Sequence, residues 1–366
     1  MKNRFFTPGV CLAADRHDNF AGKTGKTAIR EKMIQMHRKR LFRQIGILLL
    51  VAVLFLGFNG SLYMLLTRRL SNNFSDSARP RMVDVGRYLP FEEGSDLPRI
   101  DAGLRLDGDL PVLDGAAALV PVYAAVIHNL YPAGSVTYEG GVFSDDNYYG
   151  ENFAPDSRMQ YRNTVRGYRA VVDGTADVLF AAAPSAEQKQ YAAEKGVELV
   201  YVPIGLEAFV FFVNGRNPVE DLTAAQIRDI YGGSIRNWRD VGGPDRPINP
   251  VTRPQDSGSQ SVMDAFMGSR STGGKSPLAL FGGSLGYSFQ FYLMDMVGDA
   301  DVKVLRLNGV YPDKETIRSG DYPVIVPFYA VYRADDPNEN VRKLIDWLLS
   351  PRGQALIEAA GYVPLS

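Results

Sequence analysis

The chain has 366 residues, 45% hydrophobic and 22% charged, which is the composition of a globular protein and excludes a wholly disordered one. Its net charge of -1 conceals a split, because residues 1–70 carry 13 Lys and Arg against 3 Asp and Glu while the rest is correspondingly acidic. An acidic main body argues against nucleic acid as a partner, since affinity for the phosphate backbone comes from clustered Lys and Arg, and the length points to two lobes plus extras.

Residues 1–44 are polar, mixed in charge and without marked periodicity, and we expect a flexible cytoplasmic tail. The single cysteine, Cys11, excludes an intramolecular disulfide and a cysteine metal cluster. It precedes the only long apolar stretch and follows Pro8, Gly9 and Val10, the wrong place for a lipid anchor. Gly22-Lys23-Thr24 and Gly25-Lys26-Thr27 each resemble the end of a phosphate-binding P-loop, but the earlier glycine that motif requires is replaced by His17 and Phe20.

Residues 45–66, IGILLLVAVLFLGFNGSLYMLL, contain no charge and are long enough to span a bilayer. Arg30, Lys32, Arg38, Lys39, Arg40 and Arg43 precede them, opposed by Glu31, so the positive-inside rule predicts a cytoplasmic N-terminus and an extracytoplasmic C-terminal part. Arg68 and Arg69 on the far side weaken this asymmetry without reversing it. The run exceeds the apolar core of a signal peptide and no clear A-x-A site follows, so we expect an uncleaved single-pass anchor. Residues 67–109, rich in Ser, Asp, Arg, Pro and Gly, read as a linker.

Beyond the linker, runs rich in β-branched and aromatic residues predict strands over 178–180, 199–202, 209–213, 302–307 and 324–331. Thr223 and Gln226 form a T-x-x-Q capping box for a helix through Ile227 and Ile230. Val341, Leu344, Ile345 and Leu348 repeat at helical spacing, and a further helix starts with Ser350 as cap and Pro351 at its first position, stopping at Gly361. Strands alternating with helices predict α/β lobes on mainly parallel sheets. There is no internal repeat.

Residues 253–259, RPQDSGS, form a glycine-bearing turn ahead of a helical run over 260–267. Such a turn directs backbone N–H groups at one point, the arrangement that holds a tetrahedral oxyanion. Ser257 and Ser259 add hydroxyls beside Gly258, and Arg253 offers a planar fork of donors. In isolation the same residues also describe a capped helix with a surface arginine. Asp114-Gly115 opens a second turn into a helix containing Pro121, with the amides of Ala117 and Ala118 free to face the same ligand. Thr164 is a further hydroxyl donor or a capping residue. Glu207 is either a structural carboxylate or an acceptor for the proton of a protonated oxyanion, with Asp256 next in line.

Support for an enzyme is slight. His17 and His37 fall in the tail, His128 is left on a helix over 124–130, and there is neither a partner for a triad nor an H-x-x-x-H zinc pattern. No metal and no cofactor are expected.

The series LDGAAALVPVYAA, ADVLFAAAPS, LEAFVFFVN, IYGGSIRNWRDVGG, INPVTRPQDSGSQS, LGYSF, KETIRSGDYPVIVPFYAVYR and LIDWLLSPRGQALIEAAGYVPL, spanning residues 113–365, resembles the substrate-binding proteins of ABC phosphate transporters, within the type II periplasmic-binding-protein superfamily. The resemblance implies two lobes joined by crossing strands and closing over an anion, here residues 110–206 with 326–366, and 207–325. It implies phosphate or a related oxyanion as ligand and ABC permease subunits as partners. A membrane-tethered anion sensor is the alternative, and neighbouring permease and ATPase genes would discriminate. By position, residues 253–259 look like the family's anion loop and Ala117 with Ala118 falls at its first glycine turn. The sequence departs from the pattern at Ala117, where many members carry a hydroxyl, and at Ala181-Ala182-Ala183, where many carry an aspartate that accepts the phosphate proton.

Overall fold

The computed structural model describes residues 32–33, 35–61, 85–143, 149–253, 257–270, 283–297 and 302–365. The chain divides into two compact units at Arg68 and Arg69. The first contains α1 (Gln35–Ser61), long and apolar enough to cross a membrane. At 1.5 Å per residue its 27 residues extend about 40 Å. It starts before the predicted span because Arg38, Lys39, Arg40 and Arg43 are good helix formers that propagate the same helix. The tail through residue 31, with Cys11 and the P-loop-like segments, lies outside the described residues, as do residues 62–84.

In the second unit the elements follow in this order: β1 (Leu113–Gly115), a 3₁₀ turn (Ala117–Leu119), α2 (Val120–Leu130), β2 (Tyr138–Phe143), β3 (Tyr149–Phe153), α3 (Asn163–Val172) and β4 (Val178–Ala181). Next come α4 (Ala186–Glu194), β5 (Leu199–Asn214), β6 (Asp221–Leu222), α5 (Ala224–Tyr231), β7 (Ile248–Pro250), α6 (Gly258–Met267) and β8 (Gly283–Phe289). A π-helical turn (Tyr292–Val297), β9 (Val302–Val304), β10 (Arg306–Leu307), α7 (Lys314–Ser319), β11 (Ile325–Arg333), α8 (Glu339–Leu349) and α9 (Pro351–Ala359) complete it.

Local chemistry fixes several of these elements. Thr223 Oγ1 accepts the Gln226 amide at 3.1 Å and Gln226 Oε1 accepts the Thr223 amide at 2.8 Å, closing the capping box of α5. Ser350 Oγ caps α9 by accepting the Gly353 amide at 3.3 Å, and the apolar stripe of α8 is buried.

The principal sheet has the order β1-β4-β11-β5-β8-β7, with β9 also on β5. It is mixed. Parallel pairing is confined in it to β1 with β4 and β7 with β8, while β11 and β5 pair antiparallel with each other and with their other neighbours. The expectation of mainly parallel sheets is therefore corrected, because the two central strands run in opposite directions between the same two cores.

Those cores account for another difference. The runs predicted at 199–202 and 209–213 belong to one strand, β5, whose first half feeds a core containing Ile204, Phe328, Ala330 and α2, α8 and α9 residues. Its second half, from Ala208 onward, feeds a core with Tyr231, Trp238, Ile248, Met263, Tyr287 and Leu305. Pro203 and Gly205 lie between the two runs, and β11 accommodates them: Tyr329 pairs with Pro203 and Phe328 with Gly205, leaving Ile204 as the extra residue of a bulge. A side chain at 205 would meet the Phe328 ring at 2.3 Å, so the crossing needs glycine there. The predicted strand 302–307 is divided instead, β9 joining β5 and β10 joining β6.

Part of the stretch read as linker is packed. Val85, Tyr88, Leu97, Ala102 and Leu106 are buried in the first core, and Trp347 Nε1 donates to the Ala102 carbonyl at 2.7 Å. Their wide, irregular spacing gives no periodic signal of burial.

Candidate anion-binding site

The first turn of α6 is built to present donors. Ser257 has extended backbone angles and its Oγ accepts the Gln260 amide at 3.2 Å, which leaves the hydroxyl proton free to donate. The amides of Gly258 and Ser259 have no acceptor within the helix, and the helix dipole adds positive potential there. Gly258 and Ser259 are both buried. The Arg253 amide donates to Gln260 Oε1 at 3.1 Å and to Tyr287 Oη at 3.0 Å, and the Tyr287 hydroxyl in turn bonds Gln260, so α6 and β8 hold the start of the loop. Among the described residues Arg253 has no carboxylate partner. Burial pushes the Tyr287 phenol up to about 12, while the Arg253 amide and guanidinium pull the other way. Residues 254–256, including Asp256, lie outside the described residues.

A second helix start faces this one. Asn163 has φ +63°, and its Oδ1 accepts the Thr164 amide at 2.8 Å. The preceding Arg162 is fixed on Asp114, its amide donating to Oδ1 at 2.9 Å and its guanidinium to Oδ2 at 3.0 Å. Asp114 is fully buried and also takes the Gly115 amide at 2.8 Å, so one carboxylate ties the end of β1 to the start of α3. Burial raises its pKa, and the Arg162 contacts oppose that shift. A Cβ placed on Gly258 would lie 3.5 Å from Thr164 Oγ1, 3.6 Å from Ala182 Cβ and 4.0 Å from Phe289 Cε2. The first turns of α6 and α3 and the tip of β4 therefore converge, uniting Thr164 with Gly258 and its neighbouring serines. Thr164 Oγ1 has no hydrogen-bond partner among the described residues, and Thr164 is 5% exposed.

Ala117 and Ala118 lie in the 3₁₀ turn leading into α2, and the Tyr362 hydroxyl donates to the Ala118 carbonyl. Gly115 before them is irreplaceable without movement, since a Cβ would stand 2.4 Å from the Tyr123 ring. This turn packs against residues 292–297, whose first member, Tyr292, feels the charge of Arg253. No contact joins Ala117 or Ala118 directly to Thr164 or Gly258 among the described hydrogen bonds.

No hydrogen bond joins Glu207 to Thr164 or Gly258 among the described residues. Glu207 lies where β5 crosses between cores, opposite Val326, with Oε1 accepting the Ala208 amide at 3.1 Å and the Phe291 amide at 3.3 Å. Burial pushes its carboxyl up to about 8, the two amides resist, Asp295 adds to the rise and Lys314 opposes it. Burial therefore favours the protonated form of Glu207, which opposes a role as acceptor of a ligand's proton.

Residues that sequence reasoning did not assign to the site include Gln260, Tyr287, Phe289 and Tyr292. The segment LGYSF was recognised, but an aromatic in a strand signals core more readily than a cleft wall. His128 has an evident structural place: its Nδ1 accepts the Phe91 amide at 3.0 Å, and burial together with nearby Arg99 lowers its pKa. Among the described residues no group of three or more His, Cys, Asp and Glu is arranged to hold a metal.

Comparison with known proteins finds several relatives of this chain. Relatives include the phosphate-binding protein PstS of Bacillus subtilis, 25% identical over 228 residues covering 59% of this chain and 73% of that protein. Another is PstS of Staphylococcus epidermidis, 29% identical over 225 residues, 55% of this chain and 67% of that one. Protein SphX of Synechococcus elongatus is 25% identical over 293 residues, 70% of this chain and 86% of that protein. Among solved structures, a putative phosphate ABC transporter substrate-binding protein with bound phosphate from Clostridium perfringens aligns with a TM-score of 0.49 at 22% identity, covering 69% of this chain and 98% of that one. The PBP superfamily domain matches residues 149–352, more than half of the chain, and the protein is a member of that superfamily.

Proposed function

We propose that this chain is an extracytoplasmic solute-binding protein that captures phosphate, or a similar tetrahedral oxyanion, and delivers it to the permease of an ABC transporter without altering it. The observation that carries this reading is the convergence of the first turns of α6 and α3, with Thr164 Oγ1 3.5 Å from where a Cβ on Gly258 would stand. The anion is held by the Gly258 and Ser259 amides, the hydroxyls of Thr164, Ser257 and Ser259, and the Arg253 guanidinium, with the amides of Ala117 and Ala118 completing the ring. Hydrogen bonds to a charged ligand contribute about 1.5–3 kcal/mol each, so a few directed donors supply most of the affinity.

Residues 110–206 with 326–366 form one lobe and 207–325 the other, and the separate apolar clusters fed by the two halves of β5 support this division. Closure over the anion is then a rotation about β5 and β11. α1 anchors the protein, and its basic flank keeps the N-terminus in the cytoplasm. The relatives named phosphate-binding proteins support phosphate as the ligand. Calorimetric titration of the purified chain in detergent with inorganic phosphate tests the reading: a saturable one-site isotherm is expected, and its absence refutes it.

A further inference from the structure

We infer that the Tyr287 hydroxyl and the Gln260 side-chain oxygen are positioning groups for the anion site: they act through Arg253, whose place at the start of the loop over 253–259 they fix. The inference rests on the anion-binding reading above and concerns how that site is held ready.

The Arg253 amide donates to two acceptors at once, Tyr287 Oη at 3.0 Å and Gln260 Oε1 at 3.1 Å, and the Tyr287 hydroxyl donates in turn to the same Gln260 oxygen. The three groups close a triangle drawn from the loop, from β8 and from the first turn of α6. Two of its corners are held from behind. The Tyr287 ring is buried against Phe209 and Tyr231, with ring centroids 5.4 Å and 5.7 Å away, and the residue pairs with Phe211 of β5. Gln260 is buried as well, its amide donating to Ser257 Oγ at 3.2 Å and its Nε2 to Asp264 Oδ1 at 2.7 Å.

Ring and hydroxyl of Tyr287 therefore have separate roles. The ring fills the second core, and a phenylalanine ring would fill it equally. The hydroxyl accepts from Arg253 and donates to Gln260, so its bonds serve the loop and the helix start. Burial pushes the phenol up to about 12, which keeps in place the proton it donates. Fixing the backbone of Arg253 before the ligand arrives removes freedom that would otherwise be lost on binding, and that saving appears as affinity.

The test is calorimetric titration of the full chain in detergent with inorganic phosphate, for wild type, Tyr287→Phe, Arg253→Ala and the double variant, each with its melting temperature. Tyr287→Phe is expected to weaken phosphate about fivefold, the size of one neutral hydrogen bond. In the Arg253→Ala background the same substitution is expected to change affinity by about twofold or less, because the arginine through which it acts is gone. A merely structural role predicts an equal fold-change in both backgrounds, and that result overturns the inference. Wild-type affinity in Tyr287→Phe or in Arg253→Ala overturns it too, while leaving phosphate binding by the chain intact. Gln260→Met removes the shared oxygen at similar side-chain length and is expected to show the same dependence on Arg253, which keeps the test open should the tyrosine variant not fold. Absence of phosphate binding by the wild-type chain overturns both the inference and the reading beneath it.

Discussion

Glu207→Gln tests the electrostatics of the strand crossing. The Glu207 carboxyl rises from an ordinary 4.5 to about 8 in the folded chain, chiefly through burial. At roughly 1.4 kcal/mol for each pH unit, that span corresponds to about 5 kcal/mol between its protonated and ionised forms. The folded chain holds this proton more tightly than the unfolded chain. The stability it contributes is therefore fully present below pH 4.5, falls as pH rises, and is lost above about 8. Glutamine keeps an oxygen for the Ala208 and Phe291 amides and never ionises. Relative to wild type, the variant should gain stability steadily across that interval, by several kcal/mol at about pH 9 and by little near pH 5. Urea denaturation of the full chain in detergent, followed by the fluorescence of Trp347 in one core and Trp238 in the other, measures the difference. Parallel curves for the two proteins across the interval would refute the assignment of a raised carboxyl at the crossing.

Arg253→Ala should lower phosphate affinity about tenfold or more with little change in melting temperature, since Arg253 has no carboxylate partner among the described residues; unchanged affinity by calorimetry would move the site elsewhere. Gly115→Ala should destabilise the fold by about 1–3 kcal/mol in urea, because the new methyl meets the Tyr123 ring at 2.4 Å. Mass spectrometry of the membrane fraction should find residues 45–66 retained; a mature N-terminus beyond Leu66 would remove the anchor.

What the sequence by itself determined was local. An uncharged run of spanning length, the Thr223 and Ser350 caps, the stripe through Val341 and Leu348, and the glycine turns at Gly115 and Gly258 all depend on residues within a few positions of one another, and each is present in the fold or its immediate flank. The donors of α6 were legible for the same reason. Tertiary structure decided the long-range pairings. The predicted strands 199–202 and 209–213 became one crossing strand because β11 supplied a bulge around Ile204 that carries the chain through Pro203 and Gly205. Strand direction depends on which neighbour each strand meets, and the alternation of strands and helices is silent on that. The approach of Thr164 to Gly258 joins residues 94 positions apart, and the raised carboxyl of Glu207 follows from desolvation by surroundings that no local sequence window contains. Periodicity and capping are short-range properties of the backbone, whereas burial, and with it the charge state and role of a side chain, is set by whatever the rest of the chain packs against it.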